Sequence, residues 1–249
     1  KDLAADEIMQ NVTQKLQKDG RSSSTLEIMP READETARSY ISRVLVHNIV
    51  NLNLKPGEQL QETDFCSLLS VSRTPVREAI LELAQVKMID VYPQRGTYVS
   101  LIDPDMVEQA RYLRYVLESD LVVTACDLCD QATIDRLTEN IQLEKLYNGK
   151  NPDKLFQLDQ EFHYEIYRLC HKEFLYRQIT RMSIHFDRAR KLSYIASRPI
   201  LIVQDHEKIV EALARRDKKM VRRLSRKHLC RSIDDAPILE KKYPDYFVR

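Results

Sequence analysis

Four residues in the C-terminal half have the makings of a metal-ligand set. Asp159 and His163 lie one helical turn apart, and His206 and His228 follow on later segments. Each falls on or beside an apolar stripe at helical spacing. Leu155, Leu158, Phe162, Ile166 and Leu169 flank the first pair; Ile202, Ile209, Val210 and Leu213 surround His206; Met220, Val221 and Leu224 surround His228. A single inward histidine is ordinarily a satisfied core residue. One aspartate and three histidines left unpaired in one core would be costly, whereas together they are ligands for a divalent ion such as Zn, Ni or Mn.

A second chemistry sits near the N-terminus. Arg73 and Arg77 are four apart in Ser72-Arg73-Thr74-Pro75-Val76-Arg77-Glu78-Ala79. Ser72 is placed to cap a helix, Pro75 falls in its first turn, and Val76, Ala79, Ile80 and Leu83 give it a buried face. Such a helix offers its positive end and two guanidinium forks to a polyanion, as a recognition helix does to DNA.

These groups need elements to hold them. Ile41, Val44, Leu45 and Ile49 predict an amphipathic helix, and Glu62 to Leu69 a short one before the arginine-bearing helix. Two β-prone runs, Met88–Tyr92 and Thr97–Ser100, are joined by Pro93-Gln94-Arg95-Gly96. Three helices and a hairpin make a winged helix, with Arg95 at the wing tip. From Ile102 on, the pattern is helical throughout. Segments near 104–127, 132–147, 152–170, 173–195, 200–215 and 218–234 are expected, with Pro104, Pro152 and Pro199 marking starts. The fold class is mostly α: an N-terminal winged helix-turn-helix over 37–101 and an antiparallel six- to seven-helix bundle over 102–249. Residues 1–36 form an extension in which Leu3, Ile8, Val12 and Leu16 suggest a short helix before a Gly20–Ser24 break.

Composition narrows the function classes. The chain has 249 residues, a net charge of +1, four glycines and no tryptophan. Residues 37–100 carry seven Lys/Arg against six Asp/Glu, so DNA affinity must come from local placement. No stretch has the apolar length of a membrane span, and a reducing cytoplasm is expected. The five cysteines include one CxxC, Cys126 and Cys129, inside a helical pattern, which reads as packing and not as zinc or redox chemistry. The basic run from Arg215 to Arg231 reads as the solvated face of the His228 helix.

The first bundle helix adds Arg114, set among Ala110, Leu117 and Leu121. A buried guanidinium needs a partner. Either Glu118, one turn on, neutralises it, or Arg114 with Arg111 clamps a ligand carboxylate bidentately. His185 falls on a stripe with Phe174, Met182 and Ala189, as pocket lining or a support to the ligands. His47, in the winged helix, has no part in metal binding.

The motifs Leu54-Lys55-Pro56-Gly57-Glu58-Gln59-Leu60, Val71 to Ala79 and Pro93 to Val99 together resemble the GntR family of bacterial transcription regulators. The order and spacing agree over residues 38–100. The resemblance implies DNA contacts from Ser72, Arg73, Thr74 and Arg77 and from the wing tip at Arg95 and Gly96. One residue after Glu62 the family usually has an arginine; here Thr63 occupies that contact position. The bundle resembles the FCD effector domain, in whose metal-binding members an Asp-x-x-x-His and two later histidines hold a divalent ion. Asp159, His163, His206 and His228 match those positions.

The expectation is a transcription regulator and not an enzyme: a homodimeric repressor on a palindromic duplex, controlled by a small organic acid at the metal. The short link at Ile102 lacks a Gly/Ser spacer and should pass bundle motion to the DNA-binding unit. Two other classes are weighed. A metal-dependent hydrolase could use the Asp/His set, but no HExxH and no placed base accompany it, and Glu207 points off the His206 face. A GntR regulator with a non-carboxylate effector, such as a fatty-acyl group, should lack the inward Asp/His set.

Overall fold

The computed structural model describes residues 26–196 and 200–248, with 232–234 described in backbone only. The Leu3–Leu16 pattern, the Gly20–Ser24 break and Pro199 lie outside the described residues. The chain divides between Leu101 and Ile102 into two compact units.

In the first unit α1 (Ala37–Val50), α2 (Glu62–Leu68) and α3 (Arg73–Gln85) precede a hairpin of β2 (Ile89–Tyr92) and β3 (Gly96–Val99). The Thr36 hydroxyl caps α1 by accepting the Ser39 amide. Tyr40, Ile41, Val44, Leu45 and Ile49 of α1 and Val76, Ile80 and Leu83 of α3 are buried where the two helices pack. The hairpin is antiparallel, with Ile89 opposite Val99 and Tyr92 opposite Gly96. A third strand escaped the sequence reading: β1 (Gln59–Leu60) pairs with β3, giving the order β1-β3-β2. Two residues are too few to show an alternating pattern. Gly96 has φ 121°, a backbone conformation that favours glycine, and a Cβ there would displace the end of the Gln59 side chain. Ser72 occupies the N-cap of α3, but its side chain makes no capping bond; the exposed hydroxyl leaves the first-turn amides to water. Residues before α1 are tied down at Asn48, which is fully buried and bonds the backbone of Glu27 in both directions, at 2.8 and 2.9 Å.

The second unit holds seven α-helices among the described residues: α4 (Pro104–Leu128), α5 (Gln131–Tyr147), α6 (Pro152–Leu169), α7 (Glu173–Met182), α8 (Ile184–Ala196), α9 (Ile200–Ala214) and α10 (Lys218–Lys242). Asp103, Asp130, Asn151 and Asp217 cap α4, α5, α6 and α10 through their side chains, and Pro104 and Pro152 follow at first-turn positions where a missing amide costs little. One apolar core runs through α4, α5, α6, α9 and α10, with Val122, Leu137, Ile141, Phe162, Leu213 and Val221 at its centre. Cys126, Cys129 and Cys170 are buried free thiols, and burial raises the pKa of each. No helix among the described residues is long and apolar enough to cross a membrane.

Two helix boundaries differ from expectation. The expected helix 173–195 is broken at Ser183 into α7 and α8, and Ser183 is itself buried. The stripe linking His185 to Phe174 and Met182 therefore does not form, and those two residues are 63% and 64% exposed. The last helix extends beyond 234 to Lys242 and contains Pro237.

A packing contrast tests the first unit. Ile80 is 1% exposed and its neighbour Leu81 50% exposed. Ile80→Ala is expected to cost about 2–5 kcal/mol in urea unfolding, and Leu81→Ala within about 0.5 kcal/mol of zero.

Candidate functional site

The four residues singled out by spacing meet in the core of the second unit. Asp159 and His163 come from α6, His206 from α9 and His228 from α10. All four are buried, and one ligand atom from each lies within 4.8 Å of the others. His228 Nε2 is 3.1 Å from His163 Nε2 and 3.3 Å from His206 Nε2. Asp159 Oδ1 lies 3.9 Å from His163 Nε2 and 3.8 Å from His206 Nε2.

A second ring of groups fixes the imidazoles. His163 Nδ1 is 2.7 Å from Glu118 Oε2, and His206 Nδ1 is 2.8 Å from Glu144 Oε1. The His206 ring also stacks on Phe162 at 3.8 Å between centroids. Burial would raise the Glu118 carboxyl, but Arg114 and His163 beside it hold it well below the usual carboxylate range. The ionised Glu118 beside Nδ1 favours a proton there, the tautomer that leaves the Nε2 lone pair for the cluster. Glu144 has no arginine beside it, and burial pushes it up to about 8. Burial likewise lowers His206 and His228 well below their ordinary value and also lowers His163.

This donor set fits a divalent cation. Three neutral ring nitrogens stand 3.1–3.3 Å apart around His228 Nε2, which can offer at most one proton to its two neighbours. A carboxylate faces the same point. A cation can accept the ring lone pairs and the Asp159 carboxylate together.

A cavity of about 200 Å³ is lined in part by Asp159, His163 and His228. Arg111 and Arg114 line it, but neither guanidinium is unpartnered. Arg111 is bidentate to Glu108 at 2.6 Å, and Arg114 bonds Glu118 at 2.7 and 3.3 Å. The Glu118 alternative raised for Arg114 is thus what forms. His185 does not line the cavity; its Nδ1 accepts the Asp103 amide at 3.0 Å and lies 2.9 Å from Arg188 Nη2, tying α8 to the start of α4. Glu207 points away from the cluster to Lys145.

Three participants went unnoticed in the sequence. Glu144 shares a face with Leu137 and Ile141 at helical spacing, a legible sign of an inward carboxylate. Arg190 contacts Asp159 and lies 3.1 Å from Asp187; burial lowers it to about 10. Tyr194 donates to Asp159 Oδ1 at 2.7 Å. Both sit on α8, whose start was misplaced, so no stripe pointed to them.

In the first unit Ser72, Arg73, Thr74 and Arg77 are exposed at the start of α3, Thr63 is exposed on α2, and Arg95 is exposed at the hairpin turn beside half-buried Gly96. Among the described residues neither Arg73 nor Arg77 has an acidic partner. The buried face of α3 lies on the opposite side, so the arginines are free to meet a ligand.

Residues 38–99 match the bacterial regulatory proteins of the gntR family, and residues 110–231 match the FCD domain. A helix-turn-helix-type transcriptional regulator in an unstable DNA locus of Streptomyces ambofaciens is 30% identical over 220 residues, 88% of this chain and 93% of that protein. The helix-turn-helix-type transcriptional repressor RspR of Escherichia coli K12 is 28% identical over 215 residues, 86% of this chain and 94% of RspR. The E. coli McbR/YncC structure superposes with a TM-score of 0.70 at 22% identity, covering 84% of this chain and 99% of that one, and shares the fold. The winged helix and the helical unit behind it thus have one explanation: the chain belongs to the GntR family of bacterial regulatory proteins and is a DNA-binding transcriptional regulator, not an enzyme, with a C-terminal FCD domain.

Proposed function

We propose that the chain is a metal-containing repressor whose hold on DNA is controlled by a small organic acid. The observation that carries this reading is the buried group Asp159, His163, His206 and His228, three of whose members line an arginine-lined cavity. A divalent ion (Zn, Ni or Mn) held there supplies a positive charge with which an anionic effector can bind. That charge is essential to the reading, because Arg111 and Arg114 are each already matched by a glutamate. Protein groups alone leave the cavity without net attraction for a carboxylate. RspR, similar over most of its length, is a repressor, which favours that sign of control.

On the DNA side, Arg73 and Arg77 would reach base edges or phosphates, with Ser72, Thr74 and Thr63 supporting. Arg95 and Gly96 would approach the backbone from the wing. One recognition helix covers one half-site, so a homodimer on a palindrome is the matching assembly.

Two measurements test this reading. Losing a bidentate arginine–guanine contact costs about 1–3 kcal/mol, so Arg73→Ala or Arg77→Ala should weaken binding to duplexes selected from a random pool by about tenfold or more. Melting temperature should stay unchanged because both residues are exposed. Parental affinity in both variants would reject the recognition-helix assignment. For the metal, chelation should lower the melting temperature and added Zn²⁺ should restore it, because a ligand bound only by the folded state stabilises it. His206→Ala and His228→Ala should abolish that response, and His47→Ala should retain it. Carboxylates should raise the melting temperature further only in metal-loaded protein. A metal-free chain that responds equally to carboxylates would overturn the coupling of metal to effector.

A further inference from the structure

The FCD match ends at Arg231, yet α10 continues to Lys242, and the chain then turns back on its own unit. Pro237 lies inside this extension and supplies no amide hydrogen to the helix, a natural point of bending. Beyond α10 a short turn, Pro244–Tyr246, brings the tail against Ile102. The Ile102 amide donates to the Tyr246 carbonyl at 2.7 Å, and the Val248 amide donates to the Ile102 carbonyl at 2.9 Å. Phe247, between them, is 6% exposed.

The same segment walls the cavity. Asp235, Pro237, Leu239, Glu240 and Phe247 line it, facing Pro104 and Val107 at the start of α4. Its inner anchor is a 2.6 Å hydrogen bond from Ser193 to Asp235 Oδ2. Its outer anchor is the clasp at Ile102. The clasp includes two backbone hydrogen bonds and the buried Phe247 ring, with Leu239 buried and Lys242 bonded to the Ala196 carbonyl earlier in the segment; a peripheral segment held in this way can open locally while the core behind it stays packed.

We infer that residues 235–248 form a strap that completes and gates this cavity, with the Phe247–Ile102 clasp as its latch. The inference rests on the reading of the cavity as the metal and effector site. An occupant passes in or out when the latch opens, and side chains from Asp235 to Glu240, which line the same cavity as the Asp/His group, select it by contact. Ile102 follows Leu101, the last residue of the first unit, so the latch also holds the backbone joining the two units.

Zn²⁺ alone serves as the probe. Its uptake by metal-free chain, and its release to 4-(2-pyridylazo)resorcinol, are followed by absorbance. The parent is compared with a chain ending at Tyr243, with Phe247→Ala, and with Val248→Ala, whose side chain is 47% exposed. A gate changes both directions together. In the truncated chain and in Phe247→Ala, uptake and release should each rise at least tenfold, with the dissociation constant changed less than threefold. Val248→Ala should match the parent. Unchanged rates in both latch variants, or faster release without faster uptake, would overturn the strap as a gate while leaving the metal site standing. A parent chain that takes up no zinc would overturn the metal reading and the strap inference with it.

Discussion

The second unit is organised around one costly arrangement, the burial of Glu118. Its carboxylate is shared between Arg114 on its own helix and His163 on α6, and the Tyr167 hydroxyl lies 3.4 Å away. A carboxylate taken out of water without such partners would destabilise the fold by several kcal/mol. The helices must therefore pack in one register for the charge to be tolerated. Glu144 on α5 repeats the device toward His206 on α9. Two carboxylates on two helices orient imidazoles on two others, so closing the bundle and assembling the Asp/His group are one event.

That arrangement also divides the electrostatic roles. Arg111 and Arg114 look in the sequence like anion-binding groups, yet they, like Arg190 and Arg231, are each matched with an acid: Glu108, Glu118, Asp159 with Asp187, and Asp205. Their work is to make buried carboxylates tolerable. Beside these matched pairs, the Nε2 atoms of the histidine cluster meet one another at 3.1 and 3.3 Å and not an arginine or lysine.

Much of this was legible in the chain. The caps at Asp103, Asn151 and Asp217 announce themselves by residue type and by the prolines after two of them, and Asp159, His163, His206 and His228 declare their direction through flanking apolar positions. The recognition helix was readable because its buried residues and its arginines fall on opposite sides of a short, well-bounded segment. What escaped had physical reasons. A two-residue strand has no period. The break at Ser183 interrupts a run whose helical pattern continues on both sides, so His185 was assigned to a stripe that does not exist and Arg190 to none. The last helix runs on past the expected end near 234, through Pro237 to Lys242. Glu144 was readable on the face of Leu137 and Ile141 and went unused because a carboxylate on an apolar face invites attention only once its histidine is known.

The near-neutral surface of the winged helix, with the Arg73 and Arg77 guanidinium groups standing free on it, bears on how the regulator finds its target. A protein that neutralises few phosphates releases few counterions, so its grip on arbitrary sequence is weak and changes gently with salt. A genome offers about a million or more competing sites, and low affinity for all of them keeps the free pool large. Restraint in charge would thus favour search, since a regulator that makes few phosphate contacts is lost less to the wrong DNA.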